Sequence, residues 1–120
     1  MKPRIVVRLM KDRIFFGPGV EELLSHILVC GSIKNAARNM GMSYSKALRI
    51  LNCAEEELGI LLVYRYHGGS SGGKAEITPE GASFLQAYRE YNQQIQQFAE
   101  QTFERYFAVK QLPPQAKDGE

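Results

Sequence analysis

Residues 43–49 read Ser-Tyr-Ser-Lys-Ala-Leu-Arg, which places hydroxyl, ammonium and guanidinium groups within two turns of a helical pattern. Arginine and lysine can pair with guanine edges, and serine with bases or phosphates. Ser43, Tyr44, Ser45, Lys46 and Arg49 therefore carry the chemistry to read a duplex. The pattern runs on to Leu58, with Ala47, Leu51, Ala54 and Leu58 as its apolar stripe and Glu55-Glu56-Glu57 near its end. The positive charge lies at the N-terminal end, where the helix dipole and free N–H groups also favour phosphate. A helix entering a major groove does so with its N-terminal residues at the base edges. A plain solvated helix face would carry the same composition, so the neighbouring elements must decide between the two.

A second run has a different chemistry to offer. Gly68 to Lys74 satisfies G-x-x-x-x-G-K, the first seven positions of a nucleotide-phosphate cradle. The eighth is Ala75, where Ser or Thr should hold magnesium, and the next residues read as a strand rather than as the helix such a cradle needs. The match is accidental on this reading. Cys30 and Cys53 fall in helical patterns without a Cys-x-x-Cys or clustered histidines, so they read as small thiols in a reducing cytosol rather than as metal ligands. His26 and His67 stand apart, with no sequence-near partner for His26, and the glutamates form a solvated run. No catalytic set, metal site or cofactor site is indicated, and the chain reads as a non-enzyme.

The reading residues have to be held by something. Before them, Ser32 is a good N-cap for a short helix with Ile33, Ala36, Ala37 and Met40 on its apolar face. The alanines let two helices cross closely, and Gly41 suits the left-handed backbone that ends the first of them. Ser43 then caps the next. After the pair, Leu61–Tyr66 reads as a strand and Ala75-Glu76-Ile77 as its partner, joined by a glycine-serine loop. Helix, tight turn, helix and a hairpin with a glycine-rich tip outline a winged helix-turn-helix. In that arrangement Lys34 on the earlier helix, and Arg65, His67, Gly69 and Lys74 around the wing, are candidates for the phosphate backbone, because glycine lets main-chain N–H groups come close.

Upstream, residues 4–16 read as a β-hairpin with a Lys11-Asp12-Arg13 turn, and its basic residues as a solvated strand face. Gly17-Pro18-Gly19 leads into a helix over about 19–30, with Leu23, Leu24, Ile27 and Leu28 on one face and Gly31 as its stop. Downstream, Thr78-Pro79-Glu80 opens a long helix to about Phe107. Leu85, Tyr88, Ile95 and Tyr106 lie in one row of that helix and Phe98 in a second. Two apolar rows exceed what a domain of this size can cover, so Leu85, Tyr88, Ile95, Phe98 and Tyr106 are expected to pair with another copy. The expected class is mainly α with small β-hairpins (α+β). Residues 1–78 form the winged domain, 79–107 a dimerisation helix, and 108–120 a disordered tail containing Pro113-Pro114.

Composition bounds the function loosely. The chain has 120 residues, 44% hydrophobic, with a net charge of +2, which suits one packed domain and does not by itself demand a polyanionic partner. The distribution says more, since residues 33–49 hold Lys34, Arg38, Lys46 and Arg49 and no acid. No apolar run approaches the roughly 20 residues of a membrane span and the N-terminus lacks a signal-peptide core, so a cytoplasmic, non-membrane protein is expected.

These same residues carry a resemblance. Gly31-Ser32-Ile33, Ala36-Ala37, Gly41-Met42-Ser43-Tyr44 and Ala47 resemble the helix-turn-helix of the ModE family, as do Arg65, the doubled glycines and Ile77-Thr78-Pro79-Glu80-Gly81. That family comprises molybdate-responsive transcriptional regulators whose DNA-binding half is akin to the LysR-type winged helix. The resemblance spans about residues 4–107. It implies a dimeric, sequence-specific double-stranded DNA binder in bacteria or archaea, dimerised through its first and last helices. Full-length members also carry small β-barrel domains that bind molybdate. Nothing in these 120 residues resembles those domains, so no small-molecule ligand is assigned. The competing expectation is an interaction module that dimerises through its long helix without reading DNA. Operator, sign of regulation and effector are not written in the sequence.

Overall fold

The computed structural model describes residues 1–66 and 73–108. The order of elements is β1 (Leu9–Met10), β2 (Ile14–Phe16), α1 (Pro18–Cys30), α2 (Ile33–Asn39), α3 (Tyr44–Leu58), β3 (Val63–Tyr66), β4 (Lys74–Ile77) and α4 (Pro79–Phe107). Both sheets are two-stranded and antiparallel, β1 with β2 and β3 with β4. The expected α+β class therefore stands. The hairpin expected over 4–16 is shorter than its alternation suggested. Its first strand is only Leu9–Met10, and the ladder to β2 shifts register there. Ile5 and Val7 give their carbonyls to side chains of α4 instead. The Tyr88 hydroxyl donates to Val7 O at 2.8 Å, and Gln96 Nε2 donates to Ile5 O at 2.8 Å.

The helices begin and end where their caps dictate. Gly31 takes a left-handed backbone (φ 67°), and its N–H closes α1 on Ile27 O. Ser32 Oγ accepts from Asn35 N at 3.1 Å and starts α2. On α1, His26 does have a neighbour that its sequence spacing should have disclosed. Its Nε2 lies 3.7 Å from Glu22 Oε2, one turn away.

The chain divides into two compact units, Val6–Tyr88 and Met1–Ile5 with Arg89 onward, so α4 contributes to both. In the larger unit, Phe16, Leu23, Leu24, Ile27, Leu51, Leu62 and Val63 are buried in the core. Each such side chain contributes about 1.5–3 kcal/mol of transfer free energy. Phe16 meets Phe84 edge-on, with centroids 4.9 Å apart, and lies 5.0 Å from Tyr88. Leu85 and Tyr88 are 2% and 3% exposed within this core. These two were expected on a dimerisation face and instead have almost no surface to offer a second copy. The first hairpin covers this part of the helix, which the spacing of α4 alone could not reveal. The boundary expected at residue 78 likewise moves, because Pro79–Tyr88 packs with the winged unit. In the other unit, Tyr91, Phe98, Tyr106 and Phe107 are exposed and Ile95 is half-buried. The tail expected from 108 onward lies almost wholly outside the described residues.

Candidate nucleic-acid interface

The turn between α2 and α3 is built from the backbone outward. Gly41 adopts φ 71°, and Met42 N–H donates to Ala37 O at 3.0 Å, folding the chain back over the end of α2. Ala36, Ala37, Ala47 and Ala54 are all buried, so the two helices approach on methyl groups. Ser43 Oγ accepts from Lys46 N at 3.0 Å and fixes the start of α3. That hydroxyl was proposed to face DNA, and it also serves as the cap.

Ser43, Tyr44, Ser45, Lys46 and Arg49 are all exposed, as are Lys34 on α2 and Asn52 one turn further along α3. Tyr44 is 44% exposed despite its ring. Lys34, Lys46 and Arg49 have no ion-pair partner among the described residues. The N-terminal half of α3 thus presents uncompensated positive charge at a helix start.

The C-terminal half is organised differently. Glu55 Oε2 accepts from Leu62 N (2.8 Å) and Val63 N (3.2 Å), and Oε1 lies 3.3 Å from Arg65 Nη2. This one carboxylate fastens the start of β3 to the reading helix. Glu57 accepts from Asp12 N (3.1 Å) and from Arg13 Nε (3.0 Å), and Glu56 accepts from Arg13 Nη2. The hydrogen bond to Glu56 raises the already high proton affinity of the Arg13 guanidinium. A glutamate run that reads as solvated in sequence is therefore engaged throughout. Its partners lie in other elements, and local spacing carries no trace of them.

The wing is equally specific in its anchoring. Val63 pairs with Ile77, Tyr64 with Glu76, Arg65 with Ala75 and Tyr66 with Lys74. Ala75 N donates to Gly31 O at 2.9 Å, tying β4 to the end of α1. At its base, Thr78 N donates to Leu62 O, while Thr78 Oγ1 donates to Leu61 O at 2.6 Å and accepts from Gly81 N at 2.8 Å. The hydroxyl thus both caps α4 and holds it to the wing. Lys74 opens strand β4, so the helix that a nucleotide-phosphate cradle needs does not follow it. Lys74 Nζ lies 3.4 Å from Glu76 Oε2 and 5.9 Å over the Tyr66 ring. The Tyr66 hydroxyl donates to Glu76, and this bond raises its pKa. Both members of the Lys74–Glu76 pair are exposed, so the pair holds the lysine only loosely. Arg65 differs, because it is drawn against α3 by Glu55 and Asn52 (3.3 and 3.4 Å) and has less freedom to reach out than its place beside the loop suggested. His67 and Gly69 lie outside the described residues.

Arg13, in the turn of the first hairpin, has a more definite place than a solvated polar turn. It borders one cleft with Ser45, Arg49 and Asn52, which brings the first hairpin up to the reading helix. Among the described residues no three His, Cys, Asp or Glu side chains converge on a possible metal site, and no helix is long and apolar enough to cross a membrane.

Comparison with known proteins agrees with this geometry. Residues 22–82 match the family described as "Bacterial regulatory helix-turn-helix protein, lysR family". The DNA-binding transcriptional dual regulator ModE of Escherichia coli (strain K12) is 35% identical over 100 residues, covering 82% of this chain and 38% of its own length. The molybdenum-pterin-binding protein MopB of Rhodobacter capsulatus is 38% identical over 66 residues, 55% of this chain and 24% of that protein. The chain thus spans well under half of these relatives. Two solved structures share the fold. One is the CbnR_DBD-DNA complex (TM-score 0.53, 24% identity, 78% of this chain and 97% of that one). The other is the BenM_DBD/benA site 1 DNA complex (TM-score 0.54, 22% identity, 75% and 96%).

Proposed function

The chain belongs to the lysR family of bacterial regulatory helix-turn-helix proteins, and we propose that it binds a specific double-stranded DNA sequence as a homodimer, in the manner of a ModE-type regulator. The observation that carries this reading is the division of α3. Its distal carboxylates are all bound within the fold, while Lys46 and Arg49 at the proximal end are exposed without acidic partners among the described residues. In this reading Tyr44, Ser45, Lys46 and Arg49 face the major groove. Lys34 and Lys74 meet phosphates on either side, and His67 and Gly69 belong to the wing's approach to the backbone. Arg65 acts mainly by holding the wing to α3.

The dimer face is the part of α4 beyond Arg89. Phe98 and Tyr106 are 66% and 65% exposed, large apolar side chains that the single chain leaves uncovered. Leu28 and Val29 of α1, 55% and 88% exposed, supply a second apolar patch for a partner copy. The ModE likeness makes a molybdate- or tungstate-linked operon the first place to look for the target. The role is regulatory and not enzymatic, and it places the protein in the bacterial cytoplasm.

The test is selection of bound sequences from a random duplex pool, followed by anisotropy titrations with the recovered duplex at several salt concentrations. Binding should weaken steeply with salt, since each phosphate contact releases counterions. Lys46→Ala with Arg49→Ala should lower affinity by roughly thirtyfold or more, at about 1–3 kcal/mol for each of the two base contacts. Dyad-symmetric half-sites among the selected sequences would report the dimer. A folded dimer that binds no duplex at low salt would instead favour an interaction module using the exposed aromatics of α4.

A further inference from the structure

A cavity of about 460 Å³ lies between the end of the first hairpin, the start of α1 and one side of α3. Its walls are apolar, with Ile14, Phe15, Val20 and Ile50 among them, and among the described residues the only charged side chains lining it are Arg8 and Arg49. Neither arginine has an ion-pair partner among the described residues. The carboxylates of α3 that could have answered them are held elsewhere, Glu55 by the start of β3 and Glu56 and Glu57 by Arg13. Glu21, whose field reaches Tyr88 together with that of Arg8, does not line the cavity. An apolar recess of a few hundred Å³ with a small number of polar groups in its lining is a usual form of a small-molecule site.

The backbone keeps this recess open. At Gly17 an added Cβ would come within 3.1 Å of Arg8 Cγ, so glycine leaves room for the arginine stem to lie alongside. At Gly19, on the rim, an added Cβ would meet nothing within 4 Å. The space there is free.

We propose that this cavity binds a small amphiphilic organic anion, an apolar body carrying one carboxylate, with the carboxylate on Arg8 and Arg49 and the apolar body against Ile14, Phe15, Val20 and Ile50. Two guanidiniums without carboxylates select the charge, since they form charge-assisted, often bidentate, bonds to such a group. The walls select the body. Arg49 gives the site a consequence that rests on the DNA-binding reading above. An arginine engaged by a bound carboxylate is withdrawn from the duplex, so the ligand weakens DNA binding.

The full chain, labelled with ¹⁵N, is titrated with 2-naphthoate, with 2-naphthalenemethanol as the neutral counterpart and acetate as the charge without the body. Saturable amide shifts centred on Val20 and Ile50 are expected for naphthoate. Affinity should fall about tenfold or more for the alcohol, for acetate and in Arg8→Gln, as the loss of one charge-assisted bond predicts. Gly19→Leu, whose side chain fills open space, should keep the folded spectrum and lose naphthoate. The proposal is overturned if the alcohol binds as tightly as naphthoate, which would mark a purely apolar surface suited to a protein partner. It is overturned equally if Gly19→Leu binds naphthoate unchanged, or if the shifts do not saturate. With the selected duplex, naphthoate should weaken DNA binding by the wild type and not by Gly19→Leu, and equal inhibition of both would sink the regulatory consequence. A chain that binds naphthoate at this cavity but no duplex would refute the DNA reading and leave the cavity assignment standing.

Discussion

Replacing Glu55 by alanine should loosen the wing from the reading helix, and the structure permits an estimate of how much. The carboxylate is 11% exposed and bonds two backbone N–H groups, those of Leu62 and Val63, and the guanidinium of Arg65. Leu62 and Val63 are both 0% exposed, so water cannot readily replace the lost acceptor. Each orphaned N–H costs about 1–3 kcal/mol, and an unpaired, partly buried Arg65 adds to it. Arg65 Nε is already buried without a partner, which leaves that side chain no internal alternative. The two N–H groups alone come to about 2–6 kcal/mol, a large fraction of the 5–15 kcal/mol typical of a whole domain. That loss corresponds to a fall in Tm of roughly 8–24 °C for a domain of this size. Glu55→Gln keeps an amide oxygen for the two N–H groups and loses only the charge toward Arg65, so it should cost about 1–2 kcal/mol. Thermal and urea unfolding followed by circular dichroism measure both variants, and amide exchange at Leu62 and Val63 localises the effect. A loss below about 1 kcal/mol in Glu55→Ala, or equal losses in the two variants, would refute the assignment of Glu55 as the anchor.

Gly81→Ala should also destabilise, by a different route, because its Cβ would sit 2.5 Å from Leu62 O and 3.1 Å from Leu62 Cα. Backbone cannot yield as a side-chain end can, so a cost of about 1–3 kcal/mol is expected in urea unfolding, with loss of the Thr78 cap seen in the Gly81 amide exchange rate. Tyr88→Phe removes the bond to Val7 O and should cost about 1 kcal/mol at neutral pH. Burial, and after it the field of Glu21, raises the Tyr88 pKa in the folded chain. Its stabilising protonation is therefore fully present below the ordinary phenol value of about 10 and is lost as pH rises through the folded value. Unfolding titrations at neutral and alkaline pH should show the wild type losing more stability than Tyr88→Phe above pH about 10.

What the sequence could and could not disclose follows from the range of the interactions. Caps, turns and helix periodicity are local, and Ser32, Gly41, Ser43 and Thr78 behave as their residue types require. The exposed basic start of α3 is local in the same sense, being a matter of spacing on one helix. The uses of Glu55, Glu56 and Glu57 are not local. Arg13 lies 43 and 44 positions away from the residues that bind it, and no pattern within a helix could announce that. Leu85 and Tyr88 were misplaced for the same reason. Their spacing fits a helix-pairing stripe and a core-facing stripe equally, and only the position of Phe16 from the first hairpin decides between them.

The engagement of the distal carboxylates bears on recognition itself. A free glutamate on the reading helix would repel phosphate across a Debye length of about 8–10 Å. It would also compete for Arg49 within the fold. Glu55, Glu56 and Glu57 do neither freely, because each is bonded to a group of the wing or of the first hairpin. The consequence is a division of labour along one helix. The acidic half positions the wing and the hairpin, and the basic half is left uncompensated, as the proposed DNA contact requires. Arg65 belongs to the first half by geometry although its neighbours in sequence assign it to the second. On the proposed reading, Arg65→Ala should therefore act through the placement of the wing, and Lys46→Ala through lost contact with DNA.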